Sequence, residues 1–551
     1  MSRDLRAGVA LQARRSRERF LSAISEPLAR ETQSDLLRQC LRPNAHTTFG
    51  REHDFAALAS FDDYRAAVPI RSYSDFSTWI ERSASGEDEV LTRERPIRFW
   101  KTTGTTSEPK KIPVTPASAA RTTESFLALQ GTQLLYYPEL NERNDTTLVT
   151  HISPKPIKQH LGPYKIPFCT TTELPIDIRA GREEFFPPWL PGLQQMAEDD
   201  SERLYYLLCY AAAHDLYAIA CLHPSRFQTV STALEQNAER LLRELEAGTV
   251  CEIPVRAPDP QRAARLRAAR AAAGRLRARD VWPNLSMLTA WSGSYISRYR
   301  QTMEESFCSG FLPMPSVSSE VFLTMTVDPD PISQPLNLRG GVFEFVPAEQ
   351  ETHPGSLTSQ FFELQVGRCY EAIITTLAGL YRYATADLFK VVAYQSGAPR
   401  LEYVGRRSVS DLTGEKLAED QVAQAVPATL AEFGLRDFNF VLCGLQGQGG
   451  GELPCYVLVL EPGQEGLIST AEVAAALDLR LRAINSRYEL KRSFGDLAPA
   501  SVRLVSPGTF ARYRQVRIAE GAPPGQLKDR ILTGEGAPLI EDLARWDQEK
   551  P

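Results

Sequence analysis

Apolar residues return every three to four positions through the first sixty residues. The segments R-E-R-F-L-S-A-I at 17–24 and L-A-R-E-T-Q-S-D-L-L-R-Q-C-L at 28–41 carry that spacing, which predicts helices. Beyond them helical and strand-like stretches alternate to about residue 400. Thr147–His151, Val342–Val346 and Tyr370–Thr375 read as strands, and the mixture predicts an α/β or α+β body. The most apolar window, Leu204–Leu222, carries His214-Asp215 at mid-span and reads as a buried core helix rather than a membrane span. From about residue 405 the pattern restarts: helix Glu419–Phe433, strand Asn439–Leu445, a glycine-rich turn at 444–452, strand Pro454–Glu461, a helix around 471–487 and a strand near Ala500–Val505. The expected organisation is a large N-terminal domain over 1–404 and a smaller, mobile C-terminal α/β domain over 405–551.

With 551 residues the chain is too long for one ordinary core. Its 43% hydrophobic and 24% charged residues are those of a soluble globular protein. A net charge of -6 gives no global reason to expect nucleic-acid or membrane partners. One segment, 261–279, holds seven arginines among alanines and predicts a continuous helix. It reads as a solvated helix packing an Ala/Leu stripe on the body, because no aromatic platform accompanies it. Nine scattered cysteines, without a C-x-x-C pair, fit reduced thiols. No apolar leader opens the sequence, so a cytoplasmic location is expected.

The chemistry begins at W-K-T-T-G-T-T-S-E-P-K-K-I-P-V, residues 100–114. It lacks the G-x-x-x-x-G-K-[ST] form of a P-loop. Its hydroxyls and backbone N–H groups can still present a cluster of donors to an anion. Ile112-Pro113-Val114 reads as a strand, so the turn would lie between two strands. Three later stretches follow: P-S-V-S-S-E-V-F at 315–322, G-L-Y-R-Y-A-T-A-D-L-F-K at 379–390 and V-G-R-R-S-V-S-D-L-T-G-E-K-L-A-E-D-Q-V at 404–422. Their order and spacing resemble the adenylate-forming superfamily. Together with V-P-I-R-S-Y-S-D-F before the loop, V-W-P-N-L at 281–285, and the late P-G-T-F and G-Q-L-K-D-R, the set is similar to the auxin-responsive acyl-acid amido synthetases, the Gretchen Hagen family. The resemblance runs from about residue 45 to about 530.

That resemblance implies an ATP- and Mg²⁺-dependent ligase that adenylates a small carboxylic acid and passes the acyl group to an amine, usually of an amino acid. It implies that Thr102, Thr103, Gly104, Thr105, Thr106 and Ser107 hold the β- and γ-phosphates, with positive charge from Lys110 or Lys111. Ser318 and Ser319 would reach the α-phosphate, and Glu320 would be both catalytic and a Mg²⁺ ligand. Tyr383 belongs to the nucleotide set, and Asp387, read as closing its strand, would take the ribose hydroxyls. Arg406 and Lys416 would bring positive charge at and after a hinge near Gly405–Asp411, and Lys528 would serve adenylation. The chain departs from the family pattern at Ser316, where an aromatic is usual, and at Ala384-Thr385-Ala386, where Arg-Leu-Gly is common. An acyl-CoA ligase and a catalytically weakened acyl or nucleotide binder are the competing expectations. No nucleic-acid or membrane partner is expected. The acid, the amine and the oligomeric state are not legible.

Overall fold

The apolar patterns fold as a mixture of helices and sheets. The structure is a computed structural model and describes residues 3–548 except 103–108, 143–146, 151–156, 158, 171–199, 294–295, 297–298, 309, 408, 411, 414, 436–437, 447–452, 464–468, 520–530 and 535. The described residues divide into a larger unit, within Met1–Thr385 and Lys390–Tyr403, and a smaller unit, within Ala386–Phe389, Val404–Ala522 and Leu527–Pro551.

In the larger unit the two opening helices form as spaced, over Arg3–Ala23 and Glu26–Leu41. A parallel three-stranded sheet joins Thr147–Val149, Ala218–Ala220 and Met287–Thr289. A core containing Leu207, Phe227, Leu241 and Trp282 packs around it. The window Leu204–Leu222 is not one helix. Asp200–Ala211 is helical, His214 and Asp215 lie in the turn, and the chain resumes as a strand at Ala218. The His214-Asp215 pair breaks the apolar run because both side chains have partners at the half-buried surface: the ring of His214 stacks on Tyr210, and Asp215 lies 3.7 Å from Arg262. The arginine-rich segment is likewise two helices, Pro260–Ala273 and Ala278–Val281, separated where Gly274 takes φ 73°. Several of its arginines meet carboxylates: Arg267 pairs with Glu246, Arg270 with Glu235 and Glu239, and Arg277 with Asp280.

A six-stranded sheet places Tyr383–Gln395 between Ala398–Arg406 and Cys369–Thr375, followed by Val342–Pro347. Arg382, at the entrance to this sheet, is almost fully buried and takes φ 50°. Its guanidinium meets Glu344 at 2.9 and 3.0 Å and donates to the carbonyls of Val68 and Arg65 at 2.7 and 2.9 Å. A buried charge survives only when paired and hydrogen-bonded in this way.

The smaller unit is built on a mixed four-stranded sheet, Ser501–Leu504, Cys455–Pro462, Phe438–Leu445 and Leu532–Thr533 in that order. Period-two alternation decides its layers. Phe440, Leu442, Tyr456, Leu458 and Leu460 pack with Val422, Val426, Leu477 and Leu481 of the helices Glu419–Glu432 and Thr470–Ile484. Val441, Cys443, Val457 and Val459 face the other way, onto Phe510, Ile540 and Leu543 of Thr509–Ala519 and Gly536–Gln548. Each fully buried leucine or valine there stabilises by about 1.5–3 kcal/mol. The strands and helices expected after residue 405 are present, except that the helix near 471–487 ends at Ile484 and a second begins at Ser486. All nine cysteines are free thiols, and no described helix is long and apolar enough to cross a membrane.

Removing one member of the Arg382–Glu344 pair strands the other. Arg382→Met is expected to lower unfolding free energy by about 3–5 kcal/mol, and the double replacement Arg382→Met, Glu344→Leu to lower it by less. Urea unfolding of the two variants checks the order; a double variant weaker than Arg382→Met would contradict it.

Candidate active site

The strands that flank the hydroxyl-rich run form an antiparallel pair. Arg98–Thr102 pairs antiparallel with Lys110–Val114, and Thr102 faces Lys110 at the mouth of the turn. Thr103, Gly104, Thr105, Thr106 and Ser107 lie outside the described residues. The two lysines part because successive strand residues point to opposite faces. Lys111 pairs with Glu81, and its backbone N–H donates to Tyr73 Oη at 2.7 Å. Lys110 turns the other way: its Nζ lies 5.2 Å from the Tyr73 ring centroid and 3.5 Å from Tyr383 Oη. Of the two lysines, Lys110 therefore carries its charge toward Tyr383.

The stretch P-S-V-S-S-E-V-F is a tight turn. Val317 bridges Phe322, and Ser318 N donates to Val321 O at 3.0 Å. Ser318 Oγ accepts from the backbone N–H of Glu320 and of Val321 at 3.2 and 3.3 Å. Its own O–H remains to be given away. Ser319 stands half-buried beside it. Glu320 is half-buried next to the buried run Val321–Val327, and its Oε1 lies 3.4 Å from Tyr383 Oη. The Tyr383 hydroxyl thus has both Lys110 and Glu320 within 3.5 Å. Both contacts are long for hydrogen bonds. The entry motif holds this tyrosine in register: Arg71 N donates to Arg382 O at 3.1 Å, and Ala384 N donates to Arg71 O at 2.8 Å.

Glu320 also borders a small cavity of about 20 Å³, lined among others by Ser118, Arg121, Thr122, Ser125 and Phe322. Four of these lie on one face of the helix Pro116–Tyr136, at spacings of three and four. Thr115 caps that helix, accepting from Ser118 N at 3.2 Å, and its hydroxyl donates to Leu377 O at 3.1 Å. Arg121 pairs with Glu124 at 2.9 Å, and Arg339 meets the same carboxylate at 2.8 Å. Burial, then the neighbouring Arg339 guanidinium, press Arg121 below the usual arginine value while Glu124 opposes them. Burial raises the Glu124 carboxyl, but Arg339 and Arg121 prevail and hold it low. The charged residues of the lining itself are one of each sign, Arg121 and Glu320. Phe126, exposed, packs edge-on to Phe322 at 4.8 Å beside the same residues.

Within the smaller unit, Asp387 and Arg406 come together, with Nε 3.1 Å from Oδ1. Asp387 does not close a strand. It lies inside Tyr383–Gln395, because pairing continues past it. The residue before it, Ala386, takes φ 61°. That is the position where the resembled family commonly has glycine. A side chain there costs roughly 1–2 kcal/mol of backbone strain. Lys416 is exposed and takes φ 45° on the turn before the helix Glu419–Glu432. Lys528 lies outside the described residues. Ser316 carries no aromatic, and its N–H and carbonyl are used in pairing with Thr324 and Leu323.

Sequence reading missed the Arg121 wall. Its local signal is the T-P-A-S helix start followed by polar residues at helical spacing. Among the described residues no group of three or more histidine, cysteine or acidic side chains forms a metal cage. A single carboxylate suits Mg²⁺, which binds through one or two carboxylates and takes its other ligands from water and phosphate.

The hairpin that flanks the hydroxyl-rich run, the Ser-Ser-Glu turn and the Tyr-Arg-Tyr segment that enters a strand at Tyr383 follow one another in that chain order. Sequence profiles identify the family: the GH3 family N-terminal domain matches residues 19–314, the central domain 335–406 and the C-terminal domain 420–536. The chain belongs to the GH3 family. It is 25% identical to indole-3-acetic acid-amido synthetase GH3.8 of Oryza sativa subsp. indica, over 93% of this chain and 89% of that one. It is 26% identical to indole-3-acetic acid-amido synthetase GH3.17 of Arabidopsis thaliana, over 93% of both. The fold matches the AtGH3.15 acyl acid amido synthetase solved with 2,4-DB at a TM-score of 0.80 and 18% identity, covering 96% of this chain and 95% of that one.

Proposed function

We propose that this protein is an ATP-dependent acyl-acid amido synthetase. One observation carries the reading: Glu320 borders the cavity lined by Arg121 and also ends the contact chain that starts at Lys110, which follows the hydroxyl-rich run in sequence. Adenylation needs such a junction, because a triphosphate and a carboxylate, both anions, must meet. In the first step a carboxylate oxygen attacks the α-phosphorus, the bond to the bridging oxygen breaks, and pyrophosphate leaves. In the second an amine nitrogen attacks the acyl carbon, loses a proton, and AMP departs.

Thr102, Thr103, Thr105, Thr106 and Ser107 donate to the β- and γ-phosphates, with Gly104 allowing close approach and Lys110 adding charge. Ser318 and Ser319 direct hydroxyls to the α-phosphate, Glu320 holds Mg²⁺, and Asp387 takes the ribose hydroxyls. Mg²⁺, when bound, offsets the charge of the phosphates. Arg406 and Lys416 bring positive charge to the adenylate. Lys528 acts in adenylation, and the C-terminal domain over 405–551 is the part that moves. The substrate acid approaches the mouth of the cavity with its carboxylate toward Arg121, and an amino acid is the acceptor.

Pyrophosphate release screened over aryl, indole and fatty acids tests the reading. Release should need one of these acids, and AMP should follow on adding an amino acid but not CoA. AMP release with CoA alone would favour the acyl-CoA ligase, and no release with any acid the weakened binder. Arg121→Ala removes a charge-assisted hydrogen bond of about 1.5–3 kcal/mol and should raise the KM for the acid by roughly tenfold or more at unchanged KM for ATP. An unchanged acid KM would remove Arg121 from the pocket. Lys528→Ala should slow adenylate formation more than transfer from preformed adenylate, measured as separate half-reactions; equal slowing would count against its role.

A further inference from the structure

The carboxylate next to Lys416 takes no part in the chemistry above, yet it is fully buried. Glu415 Oε1 accepts from Leu412 N at 2.8 Å and from Tyr456 Oη at 2.5 Å. Its Oε2 accepts from Thr413 N at 2.8 Å and Thr413 Oγ1 at 3.0 Å. Burial raises this carboxyl, but the Tyr456 hydroxyl and the backbone donors outweigh it and hold the group below its ordinary value. The carbonyls of the same turn are held from the other side. Asn485 Nδ2 donates toward Glu415 O at 3.2 Å and Lys416 O at 3.4 Å. Ser410 pairs with Leu417 across the short ladder that closes the turn.

A turn at a protein surface has no need of a buried charge, which costs several kcal/mol unless fully hydrogen-bonded. The residue that follows this one is a lysine in the left-handed region, at φ 45°. A long-chain L-residue enters that region at a cost of roughly 1–2 kcal/mol and stays only where its surroundings over-determine it. The supply of donors around Glu415, on a turn whose next residue is exposed Lys416, supports one use.

We propose that Glu415, clamped by Tyr456 and Asn485, is a positioning residue that fixes the backbone of Lys416 and so aims its ammonium for adenylate formation. The inference rests on the role given to Lys416 above. It concerns the smaller unit alone, since every residue of the clamp lies within it.

Two measurements on the full chain separate the clamp from the role of Lys416. The first is trypsin cleavage after Lys416. Tyr456→Phe removes the shortest hydrogen bond to Glu415 while keeping the ring in the core, and should speed that cut by about tenfold while cuts elsewhere in the chain speed by much less. An unchanged cut rate would overturn the clamp. The second is a double-mutant cycle on pyrophosphate release. Tyr456→Phe and Glu415→Gln should each lower kcat about tenfold with Lys416 present and scarcely at all in a Lys416→Ala background. An equal loss in both backgrounds would overturn positioning and leave Lys416 as a functional residue. If Lys416→Ala itself releases pyrophosphate at the parent rate, the role of Lys416 fails, and the positioning with it. Should Glu415→Gln not fold, Tyr456→Phe alone completes both measurements.

Discussion

The larger unit depends on a buried charge where charge is costly. Arg382 is sealed against Glu344 and reaches two carbonyls of the 65–68 segment. That fixes the residue before Tyr383 in a left-handed conformation and sets where the tyrosine hydroxyl points. From there the consequences are local. Tyr383 meets Lys110 on one strand of the 98–114 pair and Glu320 in the Ser-Ser-Glu turn, and Glu320 borders the cavity lined by Arg121. A neutral residue at 382 would leave Glu344 unpaired and the three contacts without a common origin.

What could be read from sequence follows the range of the interactions involved. The hairpin around 98–114 was legible because strand propensity flanks a run of turn residues. The sheet of the smaller unit was legible because its alternation is strict over Phe438–Leu445 and Cys455–Pro462. The break in the 204–222 window was not, because apolar content alone does not report that His214 and Asp215 have surface partners. Gly274 was visible inside the arginine-rich segment, but strong helix formers on both sides concealed its stop signal.

The site divides the same way. Motifs confined to a few residues, such as Ser318 to Glu320, could be picked out by their residue types. Arg121 could not, since its meaning comes from Arg339 and from the 320–322 turn, some two hundred residues away. Glu415 needed Tyr456, forty-one positions further on, before its burial made sense. Ala386 shows the reverse case. The sequence lacks the customary glycine, yet the backbone keeps the conformation that glycine would take, so the geometry outlasts the residue that best suits it.

The central claim is that the acid is activated by bonding to the α-phosphate of ATP. Following oxygen tests this directly. With the substrate acid labelled with ¹⁸O in its carboxylate, one labelled oxygen should appear in the phosphate of AMP when the amide forms. Label in inorganic phosphate instead, with AMP unlabelled, would mean activation at the γ-phosphate and would contradict the account.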